Sequence, residues 1–277
     1  VLGANSAVIT DVRVSGNSGD GIRIGAGNTI TGCSAYENIG TGIFSGNGSI
    51  IIGCSAYQNT DNGISAGFGS TVTGCSGFAN TGTGISVGSG STVAACTARS
   101  NSGDGISTGD GSTVTGCTAR ANSGDGIAAG FGSTVSGCTA RLNTGNGISA
   151  SNGSTVTGCT AASNTGNGIQ VDNDCRVTDN TCESNGFNTG SGAGIHATGG
   201  DNRIEGNNCV DADRGIDVDL AGNIIIRNTC SGNTSNWEIA IGNACLVILV
   251  TPTTVAISGD SGGLSPGSTN PNANFTY

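Results

Sequence analysis

Apolar residues recur along this chain at a spacing of 21 residues, which fits neither a helix nor one long amphipathic strand. One column of Ile or Val comprises Ile9, Ile30, Ile51, Val72, Val93, Val114, Val135, Val156 and Val177, and it resumes at Ile204, Ile225 and Val247. A second column follows Gly and comprises Ile22, Ile43, Ile64, Ile85, Ile106, Ile127, Ile148, Ile169, Ile195 and Ile216. A third column is Asn, at Asn17, Asn38, Asn59, Asn80, Asn101, Asn122, Asn143, Asn164 and Asn185. Turn residues separate short β-like pieces such as STVTG and GISAS, so each unit predicts two or three short strands.

A unit of this length is too short to bury a core alone, so the repeat predicts stacked coils. At about 4.8 Å per coil, equivalent positions lie directly above one another. The Ile and Val columns then form the core, and the Asn column forms a hydrogen-bonded ladder at a corner. We therefore expect an all-β parallel solenoid of about 12 coils and about 58 Å over residues 1–250. Residues 251–277 leave the repeat and contain all three Pro, so we expect a capping or docking tail there.

The repeated stretch GISTGDGSTVTGCTARAN at 105–122 resembles the coil of the right-handed parallel β-helix found in the pectin-lyase-like superfamily. The resemblance covers residues 1–250 and implies that the solenoid is right-handed. It implies no single function, because this fold is shared by lyases, hydrolases, phage tailspikes, adhesins and bacterial surface proteins of unknown role.

Cysteine follows the same period, at Cys33, Cys54, Cys75, Cys96, Cys117, Cys138 and Cys159. In later coils Asn holds this position and Cys holds the former Ala position, as in Asn180 and Cys182, Asn207 and Cys209, and Asn228 and Cys230. The exchange indicates that both positions point into a core of constant volume. A metal ladder would require clusters such as CxxC, which this chain lacks. We therefore expect mostly free, buried thiols, with no disulfide between Cys175 and Cys245.

Net charge and composition limit the classes of partner that this protein can bind. The net charge is −10 and all nine basic residues are Arg, so we expect no nucleic-acid partner, which would need a basic face. The longest apolar run, CLVILV at 245–250, is far shorter than the roughly 20 residues of a membrane span.

The sequence begins at Val1 and is rich in Ser, Thr, Asn and Gly. We interpret it as a secreted or cell-surface protein whose signal peptide has been removed, with an uncapped first coil that another subunit could cover.

The residues on either side of the inward Val are predicted to face solvent. They form two Thr ranks, with Thr71, Thr92, Thr113, Thr134 and Thr155 on one side and Thr73, Thr115 and Thr157 on the other. These ranks resemble the ice-binding face of insect antifreeze β-helices, which implies an ice- or glycan-binding module. Ile50, Ile52 and Ala94 interrupt the ranks, and Thr also favours strands without any ligand.

A second exposed column carries aromatic and then basic side chains: Tyr36, Tyr57, Phe78, Arg99, Arg120 and Arg141. Stacked rings beside stacked guanidinium groups could hold a sugar chain or an acidic polymer. Cross-strand stacking that only stabilises the sheet is the alternative, and it is the interpretation that we favour.

Acidic residues concentrate in 172–219, around the single His. Alignment of the coils places Gln170, His196 and Asp217 in one outward column, near Arg214. His196, Asp217 and Arg214 are therefore candidates for acid–base chemistry, in a lyase or hydrolase acting on acidic polysaccharide. Asp172 and Asp219, in a neighbouring column, are candidate Ca²⁺ ligands; we expect no other cofactor.

Specific absences argue against catalysis. Polygalacturonase-like enzymes have paired Asp motifs, a GHG and an RxK, whereas this chain has GIH at 194–196 and no Lys. The near-identical coils and the uncapped first coil instead favour a secreted or surface-displayed, non-catalytic β-helix. We expect this protein to have a structural role and to associate with itself, end to end or laterally, as a filament or surface layer. An ice- or glycan-binding module and a polysaccharide lyase or hydrolase are the alternatives.

Overall fold

The chain folds into three parallel sheets that run along a solenoid, as the sequence predicts. The solenoid has about 11 turns, whereas the sequence predicts about 12. The computed structural model describes residues 2–3, 6–186, 190–249, 257–259 and 271–276. No helix occurs among these residues, and none of them could form a membrane-spanning helix. The predicted edge at Val1 and most of the tail lie outside the described residues.

Each regular coil contributes one short strand to each sheet. Sheet A comprises Leu2–Gly3, Ile22–Ile24, Ile43–Ser45, Ile64–Ala66, Ile85–Val87, Ile106–Thr108, Ile127–Ala129, Ile148–Ala150, Ile169–Val171, Ala193–Ala197, Arg214–Val218, Ser235–Ile239 and Ile257–Gly259. Sheet B comprises Val8–Thr10, Thr29–Thr31, Ile50–Ile52, Thr71–Thr73, Thr92–Ala94, Thr113–Thr115, Thr134–Ser136, Thr155–Thr157, Arg176–Thr178, Arg203–Glu205, Ile224–Ile226 and Ala244–Cys245. Sheet C comprises Arg13–Ser15, Ser34–Tyr36, Ser55–Tyr57, Ser76–Phe78, Thr97–Arg99, Thr118–Arg120, Thr139–Arg141, Thr160–Ala162, Thr181–Glu183, Asn208–Val210, Thr229–Ser231, Asn274–Thr276 and Val247–Leu249.

The strands pair in register, so that like residues stack. Ile106 pairs with Ile127 in sheet A, and Val114 pairs with Val135 in sheet B. The two apolar columns are fully buried, which confirms that they form the core. Small residues allow the coils to approach closely: a Cβ on Gly105 would lie 2.5 Å from the carbonyl oxygen of Gly126. This contact explains why Gly precedes the Ile column.

Side-chain ladders complete the interior. Each Asn of the buried column accepts hydrogen bonds from the coil before it, as when Asn80 donates its backbone N–H and its Nδ2 to Asn101 Oδ1 at 3.0 and 3.1 Å. The cysteines from Cys33 to Cys230 are buried and free, which confirms the prediction for these thiols and excludes a Cys175–Cys245 disulfide. Burial raises the pKa of the Cys209 thiol well above its usual value.

The end of the repeat differs from the expectation. Cys245, and not Val247, occupies the apolar column of sheet B, because it pairs with Ile225. The corner residues Asn223 and Asn243 are 20 residues apart, so this coil is one residue shorter than a regular one. Val247 belongs to sheet C instead, where Asn274–Thr276 lies between Thr229–Ser231 and Val247–Leu249. Part of the tail is therefore a strand of the solenoid.

Candidate functional site

The outer face of sheet A carries one outward side chain per regular strand, because the two flanking residues of each strand point inward. The stacked column reads Arg23, Phe44, Ser65, Ser86, Ser107, Ala128, Ser149, Gln170, His196, Asp217 and Glu238. Ser and Ala form its middle, and His196, Asp217 and Glu238 form one end. The alignment of Gln170, His196 and Asp217 that the sequence predicts is what the structure shows.

His196 lies between two carboxylates. Its Nε2 is 3.0 Å from Asp219 Oδ2 and 3.7 Å from Asp217 Oδ2. The side chain of Asp217 is only 3% exposed, whereas that of Asp219 is 50% exposed. The two acids therefore differ in character, with one desolvated and the other in water.

Asn167 fixes the orientation of the His196 ring. Asn167 Oδ1 accepts a hydrogen bond from the backbone N–H of Ala193 at 2.8 Å, which directs Nδ2 outward. Nδ2 then lies 3.3 Å from His196 Nδ1 and donates to Gln170 Oε1 at 3.1 Å. In the uncharged ring, Nδ1 is the acceptor and Nε2 carries the proton towards Asp219.

Arg214 forms ion pairs with Asp217 and with Glu238. Its NH1 lies 2.6 Å from Asp217 Oδ2, and its Nε lies 2.7 Å from Glu238 Oε2. Burial raises the pKa of Asp217, and the nearby His196 and Arg214 partly oppose that rise. A buried carboxyl group with a raised pKa, beside an imidazole, is an arrangement suited to proton transfer.

The structure separates the two candidate Ca²⁺ ligands by role. Asp172 accepts a hydrogen bond from Thr198 Oγ1 at 3.0 Å, whereas Asp219 faces His196. Among the described residues, one group could hold a metal ion: a ligand atom from each of His196, Asp217 and Asp219 lies within 4.8 Å of the others. An imidazole nitrogen with two carboxylates suits a transition metal better than Ca²⁺, which prefers oxygen ligands. Ca²⁺ binding therefore remains a prediction.

A shallow depression of about 330 Å³ opens beside this centre. It is lined by Asp217, Val218, Asp219, Glu238, Ile239, Ala240 and Ile241. The sequence analysis did not single out Glu238. The signal was present, because SNWEI aligns with RGIDV once Trp237 is allowed into the Ile column.

A second depression, of about 230 Å³, lies further along sheet A. The sequence pattern did not indicate it either. It is lined by Ser107, Thr108, Ala128, Ala129, Gly130, Ser149 and Ser151. The Oγ1 of Thr108 is buried there without a hydrogen-bond partner among the described residues. Thr108 is an inward-pointing residue of its strand, so this hydroxyl is not presented to a ligand in the depression.

The Thr ranks lie on sheet B as predicted. Thr113 pairs with Thr134 and Thr115 pairs with Ser136, and these side chains are partly exposed on either side of a buried Val. Ile50 and Ile52 interrupt the ranks and are both 42% exposed. Ice binding by this face remains a prediction, and a thermal-hysteresis measurement checks it.

The aromatic and Arg residues share one column on sheet C. The rings of Tyr36, Tyr57 and Phe78 are stacked, with centroids 4.8 Å apart. The guanidinium groups of Arg13 and Arg99 cover the two ends of the stack, at 5.0 and 4.6 Å from the nearest ring centroid. No ring face of this stack is left free for a sugar, so the geometry favours a stabilising role for the aromatic part.

The three in-register parallel sheets define a class of protein, the parallel β-solenoid. More particularly, the chain belongs to the family described as the right handed beta helix region, whose model matches residues 1–118 and 90–234. The resemblance that the sequence analysis rests on is thereby confirmed. A search of curated proteins found no match.

Several solved structures share the fold at low sequence identity. The A-module of mannuronan C-5 epimerase AlgE4 from Azotobacter vinelandii is 12% identical, with a TM-score of 0.76 over 95% of this chain and 85% of that module. The catalytic unit of a GH87 alpha-1,3-glucanase from Streptomyces thermodiastaticus is 12% identical, with a TM-score of 0.53 over 93% of this chain and 49% of that one. The Dettilon tailspike protein is 16% identical, with a TM-score of 0.50 over 99% of this chain and 61% of that one. At these identities the likeness shows the fold alone.

Proposed function

We propose that this protein binds a carbohydrate along the outer face of sheet A and acts on it at the centre formed by His196, Asp217 and Asp219. The observation that carries the proposal is the buried Asp217, held between His196 and Arg214 at the edge of an open depression. Desolvated carboxylates are costly to keep and cluster at functional sites. A purely structural coil would place Ser or Ala at this position, as the middle of the column does.

The rest of the face supports a saccharide ligand. Ser107 and Ser149 offer hydroxyl donors and acceptors in a shallow trough that follows the solenoid axis. An elongated polymer could contact several coils at once. The epimerase and the glucanase of similar fold are named for carbohydrate substrates, which agrees with this class of ligand.

The charge of the centre selects among saccharides. Asp217, Asp219 and Glu238 outnumber Arg214, the one Arg that bonds to them in this centre. An uncharged saccharide can approach without repulsion, whereas an acidic one needs a bridging cation such as Ca²⁺. This proposal therefore favours a neutral glycan, with an acidic glycan and Ca²⁺ as the alternative.

The chemistry proposed for the centre is proton transfer. The raised pKa of Asp217 allows its carboxyl group to hold or return a proton in a range where ordinary carboxylates are ionised. His196 Nε2 faces Asp217 and Asp219, which line the same depression, and Asn167 fixes the orientation of the ring. Glu238 and Asp219 border the opening and contact the ligand.

Binding and activity test the proposal separately. Calorimetry against neutral and acidic oligosaccharides, with and without Ca²⁺, should detect binding that is weakened about tenfold in Glu238→Gln. Ser86→Ala, on the same column but outside both depressions, is the matched control. Mass spectrometry of the incubated sugars should detect a product whose rate of formation falls at least about a hundredfold in Asp217→Asn.

The outcomes have distinct meanings. Binding that survives Glu238→Gln unchanged would remove the depression as the binding site. Binding without any product, in wild-type protein, would remove the catalytic step and leave a glycan-binding module. No binding to any glycan, combined with rods or filaments in solution, would favour the structural role that the sequence analysis predicted.

A further inference from the structure

Three Arg residues stack on the outer face of sheet C. Arg99, Arg120 and Arg141 occupy the same position in consecutive coils and pair in register. All three are exposed. Like charges directly opposite one another across parallel strands, about 4.8 Å apart, repel and destabilise the sheet. The chain keeps them together although it has only nine basic residues and a net charge of −10.

Four other Arg residues of the chain have acidic partners, whereas this set does not. Arg23 pairs with Asp20, Arg203 with Glu205, Arg214 with Asp217 and Arg227 with Glu205. In the part of the chain that the structure describes, neither Arg120 nor Arg141 makes an ion pair, and Arg99 contacts only the ring of Phe78. The guanidinium groups of Arg120 and Arg141 are therefore available to an external anion.

The surface beside them is uncharged and hydroxylated. In each strand the residue two before the Arg also faces outward, and it is Thr97, Thr118 or Thr139. Thr hydroxyl groups can donate hydrogen bonds to the same anionic oxygens that a guanidinium group contacts. Two parallel ranks, one of Arg and one of Thr, thus run along the solenoid axis.

We infer that Arg99, Arg120, Arg141 and the Thr rank beside them form a binding strip for an acidic polysaccharide that lies along the axis of the solenoid. Carboxylate or sulfate groups bind guanidinium in bidentate fashion, and a linear polymer can present them to successive coils. The bound anions would remove the repulsion within the Arg column. The strip is on a different sheet from the carbohydrate site proposed above and does not depend on it.

Nucleic acid fits the strip poorly. In a duplex each strand carries one phosphate for about every 3.4 Å of helix axis, so many charges would face the surrounding acidic protein. Single-stranded nucleic acid also binds by stacking its bases on aromatic faces. The faces of Tyr36, Tyr57 and Phe78 are covered by one another and by Arg13 and Arg99.

The test is the affinity of the full chain for four polymers: a heparin oligosaccharide, oligogalacturonate, neutral dextran and single-stranded DNA. We expect the sulfated or the carboxylated oligosaccharide to bind, and dextran and DNA to bind at least about tenfold more weakly. The double variant Arg120→Gln, Arg141→Gln should raise the Kd at least about tenfold. It should also reduce the slope of log K against log salt by about two, one for each charge removed.

A matched variant separates the strip from net charge. Arg203→Gln removes a single positive charge on sheet B and should leave the Kd unchanged. Arg120→Lys should retain most of the binding, because it keeps the charge. A loss in Arg203→Gln as large as in the double variant, equal binding to DNA, or no change in the double variant would each overturn the inference.

Discussion

One residue position shows how the side chains of successive coils depend on each other. At the corner that leads into sheet A, a side-chain oxygen accepts the backbone N–H of the next coil. Asn62 accepts from Thr83 at 2.8 Å, and Asn146 accepts from Asn167 at 2.9 Å. Asp125 performs the same task for Asn146, at 2.6 Å. Burial, and then the neighbouring carboxylate of Asp104, raises the pKa of Asp125.

Replacing Asp125 with Asn should therefore stabilise the protein at neutral pH. The amide oxygen keeps the hydrogen bond, and the loss of one of two like charges about 4.8 Å apart contributes about 1 kcal/mol. Because the folded-state pKa of Asp125 is raised, its ionisation costs stability as the pH rises from the ordinary value of 3.8 through the folded value. Thermal melts should show the advantage of the Asp125→Asn variant at pH 7 and its disappearance in acid.

The reverse substitution is the control for this interpretation. Asn146→Asp adds a carboxylate next to Asp125 in the same column and should lower the melting temperature at pH 7 but not in acid. Equal melting temperatures of the wild type and the Asp125→Asn variant across the whole pH range would contradict the argument.

The Asn ladder, formed by the Asn column at 21-residue spacing, is the element that links successive coils at one corner of the solenoid. Asn101 is 1% exposed; it accepts two hydrogen bonds from Asn80 and donates to Gly77 O at 3.1 Å and to Asn122 Oδ1 at 2.9 Å. The side chain of Asn101 thus satisfies two backbone groups of the preceding coil and links it to the following one. Each regular coil contributes one member.

Asn101→Leu should destabilise the solenoid strongly. It leaves at least two buried polar groups without partners, each costing about 1–3 kcal/mol. Chemical denaturation should report a midpoint far below that of Ser102→Ala, the exposed neighbour, which should match the wild type. A Leu variant as stable as Ser102→Ala would show that water or a local shift replaces the ladder.

Much of the fold could be predicted because equal spacing forces equal residues to stack. The inward columns, the outward Thr and Arg ranks, and the pairing of His196 with Asp217 all follow from that single rule. The two depressions of sheet A did not follow from it. Their shape depends on which neighbouring side chains are small, and Asp217 is buried in a part of sheet A whose strands lengthen to five residues.

At the scale of the whole molecule, a strand that is distant in sequence, Asn274–Thr276, inserts into sheet C between Thr229–Ser231 and Val247–Leu249. Asn274 extends the ladder of Asn228, and its amide oxygen accepts from the backbone N–H and from Nδ2 of Asn228, both at 2.9 Å. Trp237 Nε1 donates to Thr276 Oγ1 at 2.6 Å beneath this strand. No period links 228 to 274, so the sequence pattern could not predict the pairing.

The single Trp of the chain makes this closure measurable. Thr276→Val should cost about 1–3 kcal/mol, because it leaves the buried indole N–H without its acceptor. Deleting residues 271–277 should in addition shift the Trp237 fluorescence to longer wavelength, since water then reaches the ring. Thr155→Val, a substitution on the outer face of sheet B, should change neither quantity.

Self-association is the prediction that belongs to the molecule as a whole. Coils from separate chains that stack end to end would pair the strand edges at the ends of the sheets. Light scattering and negative-stain electron microscopy over a range of concentrations should then show rods whose length grows in whole subunits. A monomer of constant size at every concentration would rule out this structural role.

The strict register of the coils has a consequence for how the proposed binding strip and the acidic centre relate. Each regular coil is an interchangeable unit, because its neighbours above and below present the same contacts. The axial distance between Arg141 and Asp217 is therefore counted in whole coils. Duplication or loss of one 21-residue unit between them would move the two surfaces by one strand spacing, about 4.8 Å, and leave the chemistry of both intact. The number of 21-residue units in the sequence therefore sets the distance between the two surfaces.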